Sequence, residues 1–406
     1  MKILIKSGLL VAASTALIAL SGCGGTTPKS FASASLAPSG QGEARIIVPE
    51  SSRPQPPGFA HTNHIISYRG PAPVPSTPKG LTVAQVRSAY NVGVFSGTGA
   101  IAIVDAYHYP TALNDFNVFS TTFGLPTETS TNATASSNQH FQVVYASGKK
   151  PRTDGGWALE AALDIEWAHA MAPNAKIYLV EAASNSFSDL IAAENVAKSL
   201  AGVREVSNSW GGSESSSVYS TYDSVFVQSG VSFFASGGDS GGVKSWPALS
   251  KNVVGIGGTT LNMQGNIRLS ETTWGSTGCG ISAYEPRPAF QDAVSSIVGT
   301  HRGIDDVSAV ADPNTGASVY DTTKYLGITG WWVVGGTSLS CPLIAGMANA
   351  AGGSRSSSNA QNTAIYAGLG GPNFNDITVG SAGSFPAMLG YDLPTGVGTP
   401  NGLGGF

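Results

Sequence analysis

The sequence predicts an α/β fold, a mostly parallel sheet with helices on both faces. Apolar runs with strand character occur at 100–106, 141–146, 176–182, 231–236 and 253–258. They alternate with helix-like stretches at 156–171, 186–200, 216–228 and 342–351. No repeat of fixed period is present, and the glycine-rich region 260–335 predicts longer loops and edge hairpins. Because active sites in such folds gather at the carboxyl ends of strands, we expect the functional residues there.

Composition limits the function classes. The chain has 406 residues, 41% of them hydrophobic, which is enough for one large domain or two ordinary ones. Only 11% are charged and the net charge is −4. A chain without a basic surface has nothing to hold phosphates, so we expect no nucleic-acid partner.

The first residues predict export. Lys2 and Lys6 precede an apolar run over 9–20, which is too short for a stable transmembrane helix. The string LSGC that ends at Cys23 is similar to a bacterial lipobox. We therefore predict a lipoprotein signal peptide over 1–22, a lipid on Cys23, and a place in the outer membrane, the periplasm or the cell surface. The alternative is an ordinary signal peptide with a chance cysteine.

The next segment, 23–80, has the composition of a tether or a short leader. Residues 24–80 hold 10 of the 23 prolines, with Ser, Thr and Gly between them. Such a stretch buries too little apolar surface to order itself. His61 and His64 are accordingly expected to be solvated linker residues, and 81–406 is predicted to be the functional domain.

Two cysteines remain once Cys23 is assigned to a lipid. An even number in an oxidising compartment favours one disulfide between Cys279 and Cys341. The alternative is two separately buried thiols.

The segment 331–350 contains a candidate nucleophile. A buried strand ends in two glycines, followed by Ser338 and then by Pro342, which suits the first turn of a helix. Backbone N–H groups at that helix start would lie near the Ser338 oxygen and could bind an anion. The alternative is that the serine only caps the helix.

The segment 155–173 contains a pair of carboxyls. Glu160 and Asp164 are four residues apart on a predicted helix that is largely apolar, so both lie on one buried face. Two such groups that share a proton could take a proton from a hydroxyl at low pH. His169 lies on the opposite face and is a poor candidate base. The alternative is a solvated polar stripe.

The segment 233–242 contains the string GDSGG, which also surrounds the nucleophile of chymotrypsin-like peptidases. Ser240 is a weak candidate for that role, because the α/β pattern does not match two antiparallel barrels and the required histidine string is missing. Asp239 is better interpreted as a carboxyl directed into the site, with a turn aspartate as the alternative.

Together these motifs resemble the sedolisins, serine-carboxyl peptidases with a subtilisin-like fold. The order agrees: Glu160 and Asp164 on a helix, then SGGDSG with Asp239, then GGTS with Ser338. The resemblance extends over 81–406 through supporting strings such as IVDAYHYP, NSWGGSE, YEPRPAFQ and GYDLPTGVGTPNG.

The resemblance implies a role for each motif residue. Ser338 would be the nucleophile, Glu160 the general base and Asp164 its carboxylate partner. Asp239 would stabilise the oxyanion, which requires a protonated carboxyl and therefore predicts an acidic optimum. Ser209, Trp210 and Gly211 would bind an extended peptide, and cleavage would be endopeptidic.

The resemblance also implies one structural Ca²⁺ near the C-terminus. Asp376 and Asp392 match carboxylate ligands, and Ile377 and Gly390 match positions that donate carbonyl oxygens. A further carbonyl position, usually glycine, is Met388 here. The alternative is a pair of turn aspartates.

The chain departs from the family in its N-terminal part, since a large folded pro-domain has no room between Cys23 and residue 81. The segment 23–80 would be a spacer or a short leader removed on activation. We expect a monomer that binds the membrane only through its lipid.

Other functions have weaker support. A conventional triad would need a histidine in an HGTH-type motif, and none of the histidines lies in one. Asp105 is therefore expected to be structural, and His108 is a minor candidate for its partner. The glycines of SGTGAIAIVD precede a strand instead of following it, which argues against dinucleotide binding. The second function class is a catalytically inactive peptidase-fold lipoprotein that binds at the surface.

Overall fold

The computed structural model describes residues 45–68, 76–93, 96–352 and 355–406. The predicted signal peptide and Cys23 lie outside these residues, so export and lipidation stay predictions. Within them, no helix is both long and apolar enough to cross a membrane.

Strands and helices alternate through the first half of the described chain, and hairpins dominate later. The strands are β1 Arg45–Ile47, β2 His61–Thr62, β3 Ile65–Tyr68, β4 Ala100–Ala106, β5 Phe141–Tyr145, β6 Lys176–Ala182, β7 Val203–Asn208, β8 Trp210–Gly211, β9 Ser232–Ser236, β10 Val254–Gln264, β11 Ile267–Thr273, β12 Gly280–Pro286, β13 His301–Ile304, β14 Val307–Val310, β15 Ala317–Tyr325, β16 Ile328–Gly335, β17 Phe374–Asn375, β18 Ser381–Ala382, β19 Phe385–Pro386 and β20 Thr399–Pro400. The helices are α1 Val83–Ala89, α2 Ala112–Phe123, α3 Gly155–Met171, α4 Phe187–Ala197, α5 Ser216–Tyr222, α6 Ser295–Val298, α7 Thr337–Ala350 and α8 Ser358–Ala367.

The central sheet has the order β11-β10-β9-β7-β4-β6-β5, and β14 also pairs with β10. All its pairs are parallel except β10 with β11, which form a hairpin. Parallel pairing brings the carboxyl ends of β4, β7 and β9 to one edge of the sheet. The predicted subtilisin-like α/β fold is confirmed.

Two apolar cores cover the two faces of this sheet. One contains buried side chains of α2, α3 and α7, and the other contains side chains of α4. Helix α3 is buried almost all round, because the central sheet, α7, α2 and β15 all pack against it. A Cβ on Gly346 of α7 would lie 2.7 Å from the Cβ of Met171. A glycine there allows the two helices to cross closely enough to share one core.

A second sheet has the order β1-β3-β16-β15, and its pairs are antiparallel. Strands β1 and β3 belong to the segment that the sequence predicts to be an unordered tether. That interpretation is wrong for 45–68: His64 is fully buried and His61 is half-buried. Backbone pairing with β16 and β8 orders this stretch in spite of its composition. The predicted domain boundary at residue 81 stays a prediction.

Most predicted elements lie within a few residues of the observed ones, but α7 starts five residues earlier than 342. Pro342 therefore lies inside the helix and not in its first turn. Because proline has no N–H, it cannot donate to the carbonyl of Ser338 four residues earlier. That carbonyl instead lies 3.4 Å from the hydroxyl of Ser209.

Candidate active site

Ser338 lies in the first turn of α7, directly after β16 and two glycines. Gly336 adopts φ +107°, which a side chain rarely tolerates, and allows the strand to turn sharply into the helix. Ser338 is fully buried, and its hydroxyl donates to the carbonyl oxygen of Ser209 at 3.2 Å. Its N–H donates at 3.0 Å to the carbonyl oxygen of Asn63. The turn thus presents both a hydroxyl and a backbone donor at the sheet edge.

Glu160 and Asp164 lie one turn apart on α3, and both are fully buried. The Ser209 hydroxyl donates to Asp164 Oδ1 at 2.8 Å. Ser209 therefore contacts both Asp164 and the carbonyl of Ser338. The structure brings the carboxyl pair, the serine and the end of β7 into one buried cluster.

Burial raises the pKa of Glu160 well above its usual range, and hydrogen bonds from Ser338 and from the Asn63 backbone offset only part of this effect. Burial and then the charge of Glu160 raise the pKa of Asp164, while the Ser209 hydroxyl opposes the shift. Two like charges in one buried site cannot both form easily, so the pair holds at least one proton well above the usual carboxyl range.

Asp105 is a third carboxyl of this cluster, although a structural role alone was predicted for it. It lies near the carboxyl end of β4, fully buried, and among the described residues neither of its oxygens has a hydrogen-bond partner. Burial, followed by the charge of Asp164, raises its pKa well above the usual range. His108, its possible partner, instead hydrogen-bonds to Glu181 at 2.8 Å.

Asp239 follows β9 and faces the start of α7. Its Oδ1 accepts from the Thr337 N–H at 2.8 Å and from the Thr337 hydroxyl at 2.9 Å. Its Oδ2 is buried without a partner among the described residues, although the residue as a whole is partly exposed. Burial raises the pKa of Asp239 well above its usual range in spite of the Thr337 bonds. A protonated Oδ2 would be a hydrogen-bond donor beside Gly336, at the start of α7.

Two weaker candidates lie away from this cluster. Ser240 is exposed on the turn after Asp239. His169 is buried against Phe116, at 4.6 Å between ring centroids, and its Nε2 lies 2.9 Å from the Pro126 carbonyl oxygen.

The predicted peptide-binding edge is covered by the chain itself. Thr62 pairs with Trp210 and His61 with Gly211, in antiparallel register. His64 shares a hydrogen bond with Glu160, between Nδ1 and Oε2. This contact was not predicted from the sequence. One signal could have indicated it: residues 58–70 contain no proline, unlike the stretches on either side.

The residues of the predicted calcium site lie close together. Asp376 accepts from the N–H of Gly390 at 2.9 Å. Asp392 accepts from the N–H of Met388 at 2.9 Å and from Thr395 at 2.8 and 2.9 Å. Burial raises the pKa of Asp392 to about 6, and the charge of Asp376 contributes to the shift. No group of three or more His, Cys, Asp or Glu suited to a metal occurs within the described ranges.

The predicted disulfide is wrong in this structure, where both cysteines are free and buried. Cys341 faces β7 from α7, with its Sγ 3.3 Å from the Ser207 hydroxyl. Cys279 lies before β12, where burial and then the charge of Asp305 raise its pKa. The two thiols therefore have different neighbours, as in the alternative of separately buried cysteines.

Residues 127–352 match a family model described as the subtilase family. Kumamolisin from Bacillus sp. (strain MN-32) is 32% identical over 282 residues, covering 60% of this chain and 49% of that protein. Sedolisin from Pseudomonas sp. (strain 101) is 28% identical over 347 residues, covering 73% of this chain and 58% of that protein. The chain thus spans about half the length of these curated relatives.

Among solved structures, Pseudomonas sedolisin in complex with two molecules of pseudo-iodotyrostatin is similar to this one. Its TM-score is 0.65 at 25% identity, and the match covers 80% of this chain and 96% of that one. A lanthipeptide protease, at 15% identity and a TM-score of 0.50, shares the fold.

Proposed function

We propose that this chain, which belongs to the subtilase family, is a serine endopeptidase of the sedolisin type that acts at acidic pH. The observation that carries the proposal is the buried cluster of Ser338, Glu160 and Asp164, with Asp239 bound to Thr337, the residue before Ser338. The similarity to kumamolisin and sedolisin supports it.

In the proposed mechanism, Glu160 takes the proton of the Ser338 hydroxyl as the oxygen attacks a peptide carbonyl. Asp164 and Asp105 have raised pKa values and would stay protonated, which keeps the negative charge of the cluster small. Glu160 could then be the one ionised carboxyl and accept a proton in a buried site. Negative charge develops on the carbonyl oxygen, where the Ser338 N–H and a protonated Asp239 Oδ2 would donate to it. Water then hydrolyses the acyl-enzyme.

The test is the cleavage of a denatured protein at about pH 4, where ordinary carboxyls are partly protonated. We expect cleavage by the wild-type chain and none by Ser338→Ala. A Ser338→Ala chain that cuts at the wild-type rate would contradict the proposal and favour a contaminating peptidase. A folded wild-type chain that cuts nothing would favour the inactive, surface-binding alternative.

Calcium belongs to the proposal as a structural ion. Asp376 and Asp392 would hold it together with the carbonyls of Ile377 and Gly390, and a hard cation suits this set of oxygens. The two carboxyls fit a cation, because Asp376 binds the Gly390 N–H and Asp392 binds the Met388 N–H, so both carboxyls meet at the same short turn. We expect Ca²⁺ to raise the melting temperature of the Ser338→Ala chain and not that of a chain that also carries Asp376→Asn. Equal shifts in both would contradict the site.

The proposed location is the bacterial envelope, through a lipid on Cys23. The string LSGC supports this proposal. Labelling of the expressed chain with a fatty-acid analogue should be lost in Cys23→Ser, and equal labelling of both would contradict it.

A further inference from the structure

The segment before β3 lies along the cleft in the manner of an extended peptide. Strand β2 adds antiparallel to β8, and the N–H of Asn63 continues this pairing by donating to the Ser209 carbonyl at 3.2 Å. At the other end of the segment, the Nδ2 of Asn185 donates to the Ala60 carbonyl oxygen at 2.7 Å. The N–H of Ala60 donates in turn to the Asn185 carbonyl oxygen at 2.8 Å. Main-chain pairing of this kind is how an edge strand holds an extended peptide of any sequence.

One carbonyl of this segment lies where the reaction would place an oxyanion. The oxygen of Asn63 accepts from the Ser338 N–H at 3.0 Å. A Cβ built on Gly336 would lie 2.1 Å from that oxygen and 2.6 Å from Asp239 Oδ2, so the two oxygens converge above the glycine. The carbonyl oxygen of the Asn63–His64 peptide bond therefore accepts from one oxyanion donor of the proposed mechanism and lies over the same glycine as the other.

The residue after this bond contacts the proposed base. The imidazole of His64 is fully buried and shares a hydrogen bond with Glu160. Beyond it, Ile65 and Ile66 pair with Gly335 and Val334 at the end of β16. The chain is thus held on both sides of the Asn63–His64 bond.

The side chain before the bond is buried and has one hydrogen-bond partner among the described residues, while its Oδ1 has none. Asn63 is fully buried, and its Nδ2 donates to the hydroxyl of Ser236 at 2.6 Å. Ser236 ends β9 and is itself fully buried, with its hydroxyl directed at the Asn208 carbonyl at 3.5 Å. A buried acceptor favours a side chain that can donate, because an apolar side chain would leave the hydroxyl's acceptor site unpaired.

We infer that residues 60–64 form an internal substrate, in which Ser338 cleaves the Asn63–His64 bond and Ser236 selects the asparagine side chain. The inference rests on the proposed function and adds to it a processing site and a substrate class, peptides with a carboxamide residue before the cut bond. Until cleavage, the segment occupies the cleft and keeps other peptides out.

The step balances with water as the co-reactant. The Ser338 oxygen bonds to the Asn63 carbonyl carbon while its proton passes to Glu160. The bond from that carbon to the His64 nitrogen breaks, and Glu160 returns the proton to the leaving amine. Water then hydrolyses the ester, which leaves a carboxylate on Asn63 and a new N-terminus at His64.

The first experiment follows the full chain after purification at neutral pH and transfer to about pH 4. Intact mass and N-terminal sequencing should find a new terminus at His64 in the wild type and an uncut chain in Ser338→Ala. The rate should not depend on protein concentration, because the bond is presented within one molecule. An uncut wild-type chain, or a cut at another bond, overturns the inference.

Addition of denatured protein to the same samples separates the two proposals. If that protein is cut while the Asn63–His64 bond stays intact, the internal-substrate inference fails and the peptidase function stands. If neither is cut, both fail.

The second experiment tests the hydrogen bond between the asparagine side chain and Ser236. Two peptides that differ only in asparagine or leucine before the cut bond compete for the enzyme, and the ratio of their cleavage rates is measured. Leucine has the same branching as asparagine without the donor. We expect Ser236→Ala to lower the preference for asparagine about tenfold, the loss of one hydrogen bond. Ser232→Ala, at the other end of β9 and equally buried, is the control and should keep the wild-type preference. Equal preferences in all three enzymes overturn the role of Ser236.

Discussion

At the scale of single residues, the site depends on carboxyls that burial keeps protonated. Asp239 is the clearest case, because Thr337 donates twice to its Oδ1 while its Oδ2 has no partner among the described residues. An ionised Asp239 would repel the oxyanion that it is proposed to stabilise, so its raised pKa is a requirement of the mechanism.

Two substitutions of Asp239 distinguish the loss of a hydrogen-bond donor from a change in the pH at which that donor is present. Asparagine can accept the same two Thr337 bonds and present an N–H in place of Oδ2 at every pH. We expect Asp239→Ala to lower kcat by about 10²–10³, and Asp239→Asn to retain more activity and move the alkaline fall of kcat to higher pH. A pH–rate profile of Asp239→Asn that superimposes on that of the wild type would contradict the assignment.

At the scale of elements, the positions of the proposed catalytic groups follow from the packing of α3 against α7. The carboxyl pair is on one helix and Ser338 is on the other, so their separation is set by the helix crossing at Gly346. A methyl group at that position would clash with Met171 and push the helices apart.

We expect Gly346→Ala to lower the free energy of unfolding by about 1–3 kcal/mol, as overpacking does. Thermal unfolding in a Ser338→Ala background measures this without self-digestion. Gly93→Ala is the matched control, since no atom lies within 4 Å of its added Cβ. Equal melting temperatures for the two variants would show that the crossing tolerates the extra methyl group.

The elements also mark what the sequence could and could not predict. Strands such as β4 and helices such as α3 have strong patterns and lie where predicted. The order of β16, Ser338 and α7 followed from glycines and a proline, although the helix begins earlier. The path of 59–66 left only the absence of proline as a signal in the sequence, because a strand added at an edge is held by backbone bonds that leave no pattern in side chains. The disulfide failed because cysteine counts carry no geometry.

At the scale of the whole molecule, many buried carboxyls make stability depend on pH. Burial raises the pKa of Glu194 and of Glu205 to about 8. A carboxyl with a raised pKa binds its proton more tightly in the folded state, so it contributes stability below its unfolded pKa, and that contribution is lost as pH rises towards 8. The buried His64 and His169 act in the opposite direction, since their pKa values fall to about 3 and about 4 and their contribution is lost on acidification.

Glu205→Gln isolates one of these contributions. The amide can still accept from Asn349, which donates to Glu205 at 2.6 Å, but it does not ionise. We expect the free energy of unfolding of Glu205→Gln, measured relative to its parent, to be higher at about pH 8 than at about pH 5. The expected increase is on the order of 2–4 kcal/mol, given about 1.4 kcal/mol per unit of pKa difference. Denaturant unfolding at both pH values in the Ser338→Ala background measures this gain. A difference that does not change with pH would mean that Glu205 is ionised at both.

The proposed chemistry depends on the transfer of the Ser338 proton to Glu160, and kcat/KM of Glu160→Gln on a peptide substrate at about pH 4 measures that transfer. Glu166→Gln is the control, because Glu166 is equally buried on α3 but accepts from the Tyr320 N–H at 3.0 Å, away from Ser338. We expect Glu160→Gln to lose at least about 10²-fold, the usual contribution of a general base, while Glu166→Gln stays within a few-fold of the wild type. A Glu160→Gln enzyme as active as the Glu166→Gln control would contradict the account.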